Sequence, residues 1–97
     1  MRKEIIVVDK LPKPPVPYSH CVKAGNFLFI AGQVGVDPAS SKLKGSSIQE
    51  QTEQALTNMA EVLKAAGSSM ELVVKTTVFI SDFEDFEEMN KVYARFF

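Results

Sequence analysis

The stretch YSHCVKAGNFLFIA, from Tyr18 to Ala31, decides the fold of this chain. Its first half, residues 18–24, alternates side chains between two faces, as a half-buried strand does. Ala24-Gly25-Asn26 supplies a turn, and Phe27 to Ala31 resumes as an almost wholly apolar strand, so the stretch predicts a β-hairpin. A strand that is apolar on both faces is a covered strand. We therefore expect helices against one face, with another subunit as a candidate cover for the other.

A strand and a helix flank this hairpin in the sequence. Residues 4–9 contain four consecutive β-branched residues and predict a short strand. The four prolines within residues 11–17 indicate a stiff extended connector or, alternatively, a proline-rich segment that a partner binds. After a polar loop at 37–46, Ser47-Ile48-Gln49-Glu50 fits a capping box. Apolar residues then recur at helical spacing as far as Gly67, which stands where a C-terminal capping glycine belongs.

A fourth strand and a second helix complete the predicted order. LVVKTTVFI, residues 72–80, predicts a long strand, and Ser81-Asp82 then caps a helix. The apolar stripe of that helix consists of Phe83, Phe86, Met89, Asn90, Tyr93, Phe96 and Phe97. The order β-β-β-α-β-α predicts an α+β fold with both helices on one face of a mixed sheet. Because the sequence stops on two phenylalanines in the last turn of this helix, we expect at least one further strand to follow it.

Composition and charge narrow the class of protein. A chain of 97 residues with 45% hydrophobic and 24% charged residues predicts one small globular domain, residues 1–97. A net charge of -1 without a run of Lys and Arg argues against a nucleic-acid partner. Cys21 is the only cysteine, which excludes an internal disulfide and a metal site made of thiolates alone. No apolar run is long enough to cross a bilayer, so we expect a soluble cytoplasmic protein with no membrane partner and no metal.

Several polar groups stand in otherwise apolar elements. Asn90 interrupts the stripe of the second helix, where an amide must be hydrogen-bonded, either to a loop or to a ligand. Gly32-Gln33 breaks an apolar strand, which fits a bulge or the close approach of a ligand. Tyr18 follows Pro17 and is either an amphipathic core residue or a positioned proton donor. His20, the only histidine, is a candidate base, although a lone histidine on a strand is usually structural.

Four segments in order resemble one enzyme family. They are Pro15-Val16-Pro17-Tyr18-Ser19, NFLFIAGQVGVDP (residues 26–38), ALTNMAEVLKAAG (55–67) and VVKTTVFISDFEDFEEMNKVYARFF (73–97). Together they resemble the Rid (YjgF) family of reactive-intermediate deaminases. The resemblance implies a chorismate-mutase-like fold and a homotrimer whose sheets face inward, with clefts between subunits. It also implies hydrolysis of enamines and imines such as 2-aminoacrylate and 2-iminobutanoate, released by pyridoxal-phosphate enzymes, to 2-keto acids and ammonia, without a cofactor.

The resemblance assigns roles to individual residues. The family's pocket tyrosine matches Tyr18, its strand-end Ser-Gly-Gln matches Ala31-Gly32-Gln33, and its helix asparagine matches Asn90. Tyr18 and Gly32 are thereby the expected catalytic groups, with Ala31, Gln33 and Asn90 contacting substrate. Ala31 departs from the family's common serine. The family's carboxylate-binding Pro-Ala-Arg segment and closing Ile-Glu strand have no counterpart in residues 1–97, so we expect these residues alone to deaminate poorly.

Two other functions remain open at this point. One is a non-catalytic relative that binds a small ligand or a partner, which the missing arginine favours. The other is a translation-inhibiting ribonuclease, an activity described for some family members, against which the net charge of -1 weighs.

Overall fold

The predicted hairpin forms, and a third strand joins it. In the computed structural model, which describes residues 2–97, β1 (Lys3–Ile6), β2 (Cys21–Ala24) and β3 (Phe27–Ile30) make an antiparallel sheet in the order β1-β2-β3. Gly25 has a φ of 61° at the first central position of the two-residue turn between β2 and β3. Glycine adopts that angle without steric cost, which is why it stands at this position of a tight hairpin.

The two faces of this sheet have different surroundings. The inner face contacts the first helix and forms the core, which contains Val8, Leu11, Cys21 and Val62, with Ile6, Leu28, Ile30 and Ala66 packed against it. The opposite face, here called the outer face, carries Ile5, Val22, Ala24, Phe27 and Phe29. Phe27 and Phe29 are 64% and 62% exposed there. The sequence prediction of a covered strand therefore holds for the inner face, while the outer face of the single chain is open.

Helix α1 (Ile48–Ala65) begins and ends at the predicted caps. The Ser47 hydroxyl accepts a hydrogen bond from the Glu50 backbone N–H at 3.1 Å and donates to the Glu50 carboxylate at 2.8 Å. At the other end Gly67 has a φ of 77°, and the Ser68 N–H reaches the Leu63 carbonyl at 2.8 Å. This pairing is the Schellman motif, which satisfies carbonyls that the last helical turn leaves free.

The prediction of a strand at residues 72–80 is wrong. Met70–Leu72 is a single 3-10 turn, and residues 73–80 make no strand pairing within the described part of the chain. Val74 and Phe79 are 88% and 92% exposed. The β-branched pattern reports a local preference, whereas a ladder also needs N–H and C=O groups from a neighbouring strand. Among residues 2–97 no such neighbour lies beside this segment, and all pairings in the described sheets are antiparallel rather than mixed.

The loop expected at 37–46 contains a small ribbon. β4 (Val36–Asp37) pairs with β5 (Lys42–Leu43), and the preceding Gly35 lies against α1. A Cβ atom on Gly35 would come within 2.6 Å of the Gln51 Cα, closer than real contacts allow, so only glycine lets the chain pass the helix here. The other strands are shorter than predicted, since β1 ends at Ile6 rather than Asp9 and β2 begins at Cys21 rather than Tyr18.

Helix α2 (Phe86–Tyr93) packs against α1. A 3-10 turn at Phe83–Asp85 precedes it, and the Asp82 carboxylate caps that turn by accepting from the Glu84 N–H at 2.9 Å. The buried residues of α2 are Met89 and Val92, so its packed face is rotated away from the predicted stripe. No helix among residues 2–97 has both the length and the apolar character needed to span a membrane.

Candidate functional site

The structure brings Tyr18 and the Ala31-Gly32-Gln33 segment to one end of the hairpin. The Ala31 N–H donates to the His20 carbonyl at 3.0 Å, which extends the β2–β3 pairing beyond the last assigned pair, Cys21 with Ile30. The edge-on contact between the Tyr18 and His20 rings places Tyr18 at this same end. We call Tyr18, His20, Ala31, Gly32 and Gln33 the hairpin end. It lies opposite the Gly25 turn.

Tyr18 presents its phenol at this surface. The side chain is 45% exposed, and its ring lies edge-on to the His20 ring, with centroids 6.0 Å apart and an interplanar angle of 89°. Its backbone N–H donates to the Val16 carbonyl at 2.7 Å across Pro17, which forms a tight turn. None of the hydrogen bonds among residues 2–97 involves the Tyr18 hydroxyl. The His20 ring therefore holds the Tyr18 ring, while the Tyr18 hydroxyl has no partner among residues 2–97 and is available to a ligand.

Gly32 lies beside open space. A Cβ atom built on it would meet nothing within 4 Å, so no neighbouring group of the same chain requires glycine here. The Gln33 amide donates to the Ala31 carbonyl at 3.1 Å, which folds that side chain back along the strand end. The backbone around Gly32 is thus accessible to a ligand or to a second chain.

Asn90 lies on α2, and no hydrogen bond joins it to the hairpin end among residues 2–97. Its side chain is exposed on α2 and makes no hydrogen bond among the described residues, so it does not tie a loop to the helix, while the alternative of a ligand contact stays a prediction. The exposure results from the rotation of α2, which turns Met89 and Val92 toward the interior in place of Asn90.

Sequence reasoning missed a second asparagine that supports the strand break. Asn58 on α1 is only 6% exposed, and its amide N–H groups donate to the carbonyls of Val34 at 3.3 Å and Val36 at 2.8 Å. Its own carbonyl accepts from Gln54 at 2.8 Å. Asn58 therefore fixes the segment that directly follows Gln33. The available signal was the row Gln54, Asn58, Val62, in which two amides share a helix row with a core valine.

Two depressions on the described surface are lined by residues outside the hairpin end. One of about 490 Å³ is lined by Arg2, Lys3, Glu4, Lys23 and Gly25, and another of about 300 Å³ by Lys44, Glu50, Glu53, Gln54 and Thr57. Burial raises the pKa of the Cys21 thiol, which disfavours the thiolate needed for a nucleophile. No group of three His, Cys, Asp or Glu side chains in residues 2–97 is arranged for a metal ion. The hairpin end is thus an open surface on the single chain, and a closed pocket there needs walls from elsewhere.

Comparison with known proteins gives matches over nearly the whole chain. A family model described as endoribonuclease L-PSP matches residues 8–97. A RutC family protein of Pyrococcus horikoshii is 48% identical over 95 residues, which cover 98% of this chain and 75% of that protein. The human 2-iminobutanoate/2-iminopropanoate deaminase is 41% identical over 95 residues, covering 98% of this chain and 69% of the human protein.

Solved structures agree with the described fold. A Thermotoga maritima protein described as a putative endoribonuclease superposes with a TM-score of 0.93 at 40% identity, covering 100% of this chain and 76% of that one. The E. coli protein TdcF, solved with bound serine, gives a TM-score of 0.91 at 35% identity, covering 97% of this chain and 73% of that one. These values confirm the α+β fold, including the arrangement of the two helices and the antiparallel strands.

Proposed function

The chain belongs to the Rid (YjgF) family, described in its family model as endoribonuclease L-PSP, and on that premise we propose that it is a deaminase of reactive imines and enamines. Its substrates in this proposal are small 2-imino and 2-enamino acids, which it hydrolyses to 2-keto acids and ammonia. The observation that carries the proposal is the 41% identity to the human 2-iminobutanoate/2-iminopropanoate deaminase over 98% of this chain. A chloroplastic Reactive Intermediate Deaminase A of Arabidopsis thaliana, 41% identical over the whole chain, supports it.

The chemistry needs little from the protein. An imine carbon is already electrophilic, so water adds to it and gives a carbinolamine, which collapses to the ketone and releases ammonia. The protein has to hold the substrate, orient the water and deliver a proton to nitrogen. We assign the proton and the water to the Tyr18 phenol and the Gly32 backbone, because both are open at the hairpin end. No step requires a cofactor, and the proposal includes none.

We assign contacts with the rest of the substrate to Ala31, Gln33 and Asn90. The first two adjoin Gly32 directly, and the exposed amide of Asn90 is free to meet a ligand from α2. In this assignment Asn90 and the hairpin end that meet one ligand come from neighbouring subunits. The proposal therefore includes a homotrimer with its clefts at the subunit boundaries. The open apolar outer face supports such an assembly, since exposed apolar patches mark contact surfaces. We place this protein in the cytoplasm, where the free Cys21 stays reduced.

The test is release of 2-keto acid from 2-aminoacrylate that a serine or cysteine lyase generates in the same cuvette. Two chains are compared: residues 1–97, and the same residues extended by a Pro-Ala-Arg segment and a closing Ile-Glu strand of the family. We expect activity from the extended chain and little from residues 1–97, because a substrate carboxylate that enters a partly dry cleft needs a cation. Equal activity of both would contradict the need for the arginine, and inactivity of both would contradict the deaminase itself.

Replacing Tyr18 by phenylalanine in the active chain is expected to lower kcat about tenfold or more, because general acid assistance typically contributes at least a hundredfold and water can replace part of it. The ring and its contact with His20 remain in this variant, so the unfolding temperature should stay within a few degrees of the parent. Steady-state kinetics and a thermal melt measure both quantities. An unchanged kcat would remove Tyr18 from the mechanism.

Two observations support alternative functions for this chain. The neighbour TdcF was solved with serine bound, which supports small-ligand binding, and a non-catalytic binding protein is therefore the second candidate. Calorimetric titration of small amino and keto acids tests it, and binding without keto-acid release in any assay would support it. The matching family model is described as endoribonuclease L-PSP, so RNA cleavage is assayed in the same series, with a control for background cleavage. The net charge of -1 makes cleavage the less favoured outcome.

A further inference from the structure

His20 contacts two neighbours within the hairpin end, Tyr18 and Ala31, and one outside it, Pro12. Its Nε2 atom lies 2.9 Å from the Pro12 carbonyl oxygen, its ring meets the Tyr18 ring edge-on, and its backbone carbonyl accepts from the Ala31 N–H at 3.0 Å. Through these three contacts, His20 connects Pro12, the Tyr18 ring and Ala31, which directly precedes the strand break at Gly32.

The hydrogen bond to Pro12 fixes the state of the imidazole. A backbone carbonyl can only accept, so the proton of the neutral ring is on Nε2 and Nδ1 keeps its lone pair. The Nδ1 atom is buried and has no hydrogen-bond partner among residues 2–97. A buried Nδ1 cannot take a proton from a ligand at the surface, and Nε2 is already engaged. The ring therefore does not act as a general base, which was one of the two interpretations of a lone histidine.

The proline segment, residues 11–17, connects the hydrogen-bonded Pro12 to Tyr18 and restricts the position of Tyr18. Leu11 is buried in the core and anchors the start of the segment, and His20 then fixes the carbonyl of the next residue, Pro12. The prolines that follow each lock one backbone torsion angle, so the path from Pro12 to Tyr18 has few free rotations. The edge-on contact with the His20 ring holds the end of the path, the phenol itself.

We propose that His20 is a positioning residue that holds the Tyr18 phenol in place at the hairpin end. The proposal rests on the proposed deaminase function for its kinetic readout, although its geometry is independent of that function. His20 touches no substrate in this assignment and acts only through Tyr18 and the proline segment.

The variants are His20→Ala, His20→Gln and Tyr18→Phe, together with the double variant His20→Ala/Tyr18→Phe, all in the chain that shows activity. His20→Ala is expected to lower kcat about fivefold to tenfold with less than a twofold change in KM, as the loss of one ordering hydrogen bond implies. His20→Gln keeps an N–H donor within reach of Pro12 and should recover most of that loss. The control Lys13→Ala changes an exposed residue of the same proline segment and should leave kcat unchanged.

The double variant separates positioning from mere structural support. If His20 acts through the phenol, His20→Ala should cost less than twofold once Tyr18 is phenylalanine, because no hydroxyl remains to be placed. An equal loss in both backgrounds, or an unchanged kcat in His20→Ala, would overturn the proposal.

A second readout does not depend on turnover. The Tyr18 ring resonances, assigned with the Tyr18→Phe variant, should broaden or average in His20→Ala and stay sharp in His20→Gln. Sharp lines in both variants would overturn the proposal even in an inactive protein. A protein without deaminase activity that still shows the predicted broadening would contradict the proposed function and support the role of His20.

Discussion

An Asn58→Asp variant is expected to lose about 3 kcal/mol or more of unfolding free energy at pH 7, a large part of the stability of a small domain. The wild-type amide donates to the carbonyls of Val34 and Val36 from a site that is 6% exposed. A carboxylate of the same shape has no proton to donate and places its charge against two carbonyl oxygens. Two partly buried carbonyl acceptors thereby lose their donors, and one buried charge gains no cation, and each of these changes is costly.

Urea unfolding followed by circular dichroism measures this loss, with Asn26→Asp as the matched control. Asn26 occupies the exposed hairpin turn, where aspartate is equally suitable, so the control should change the unfolding free energy by less than about 0.5 kcal/mol. Burial without a cation raises the pKa of the new carboxyl at position 58 above its ordinary value of about 4, so in the folded state it binds a proton before the pH has fallen to about 4, and the protonated group can donate once. The folded state favours that proton, so the defect should shrink as the pH falls. A defect of the same size as in the control would show that Asn58 does not hold the 34–36 segment.

The elements with complete local signals were predictable from the sequence. Helix α1 carries its own start and stop, a Ser47 cap and a Gly67 left-handed residue, and both work as predicted. The hairpin turn is likewise marked in the sequence by Gly25, which adopts the positive φ that the turn requires. In each case the residues that define the element lie within a few positions of one another, so no knowledge of the rest of the fold is needed.

The failures all depend on distant partners. Residues 73–80 have the composition of a strand. Whether they pair depends on a neighbouring strand, and the local sequence does not show whether one is present. The rotation of α2 is set by its contact with α1, and it buries Val92 instead of Asn90. Asn58 was missed because its two acceptors, the carbonyls of Val34 and Val36, lie more than twenty positions away in the sequence.

The candidate site was only partly predictable for the same reason. Tyr18 and Gly32 lie at one end of the hairpin because Tyr18 contacts His20 and Gly32 follows Ala31, whose N–H donates to the His20 carbonyl. His20 was visible as the only histidine, but its partner Pro12 was not, since a hydrogen bond across eight residues of an irregular loop leaves no pattern. The relation of Asn90 to the hairpin end lies beyond a single chain and remains part of the proposal.

A Phe29→Glu variant is expected to convert the proposed trimer into a monomer and to abolish deaminase activity with it. Phe29 lies in a row with Val22 and Ile5 across the three strands of the outer face, beside Phe27. Its ring is 62% exposed on the single chain, so the substitution leaves the folded core untouched. Burying a carboxylate without a cation costs several kcal/mol at each contact. Sedimentation equilibrium at micromolar concentration gives the oligomeric state, and circular dichroism checks that the monomer is folded.

Leu43→Glu is the matched control, because Leu43 is 59% exposed on β5, outside the outer face, and receives the same charge. A wild-type chain that is itself a monomer, or a Phe29→Glu variant that stays trimeric, would contradict the assembly. The expected effect is large because threefold symmetry repeats the change. If three sheets face one axis, one substitution brings three carboxylates toward it, and their mutual repulsion adds to the cost of desolvation. Protonation removes both costs, so lowering the pH toward about 4 should restore part of the trimer in this variant. Unfolding caused by a damaged core would not be reversed in that way.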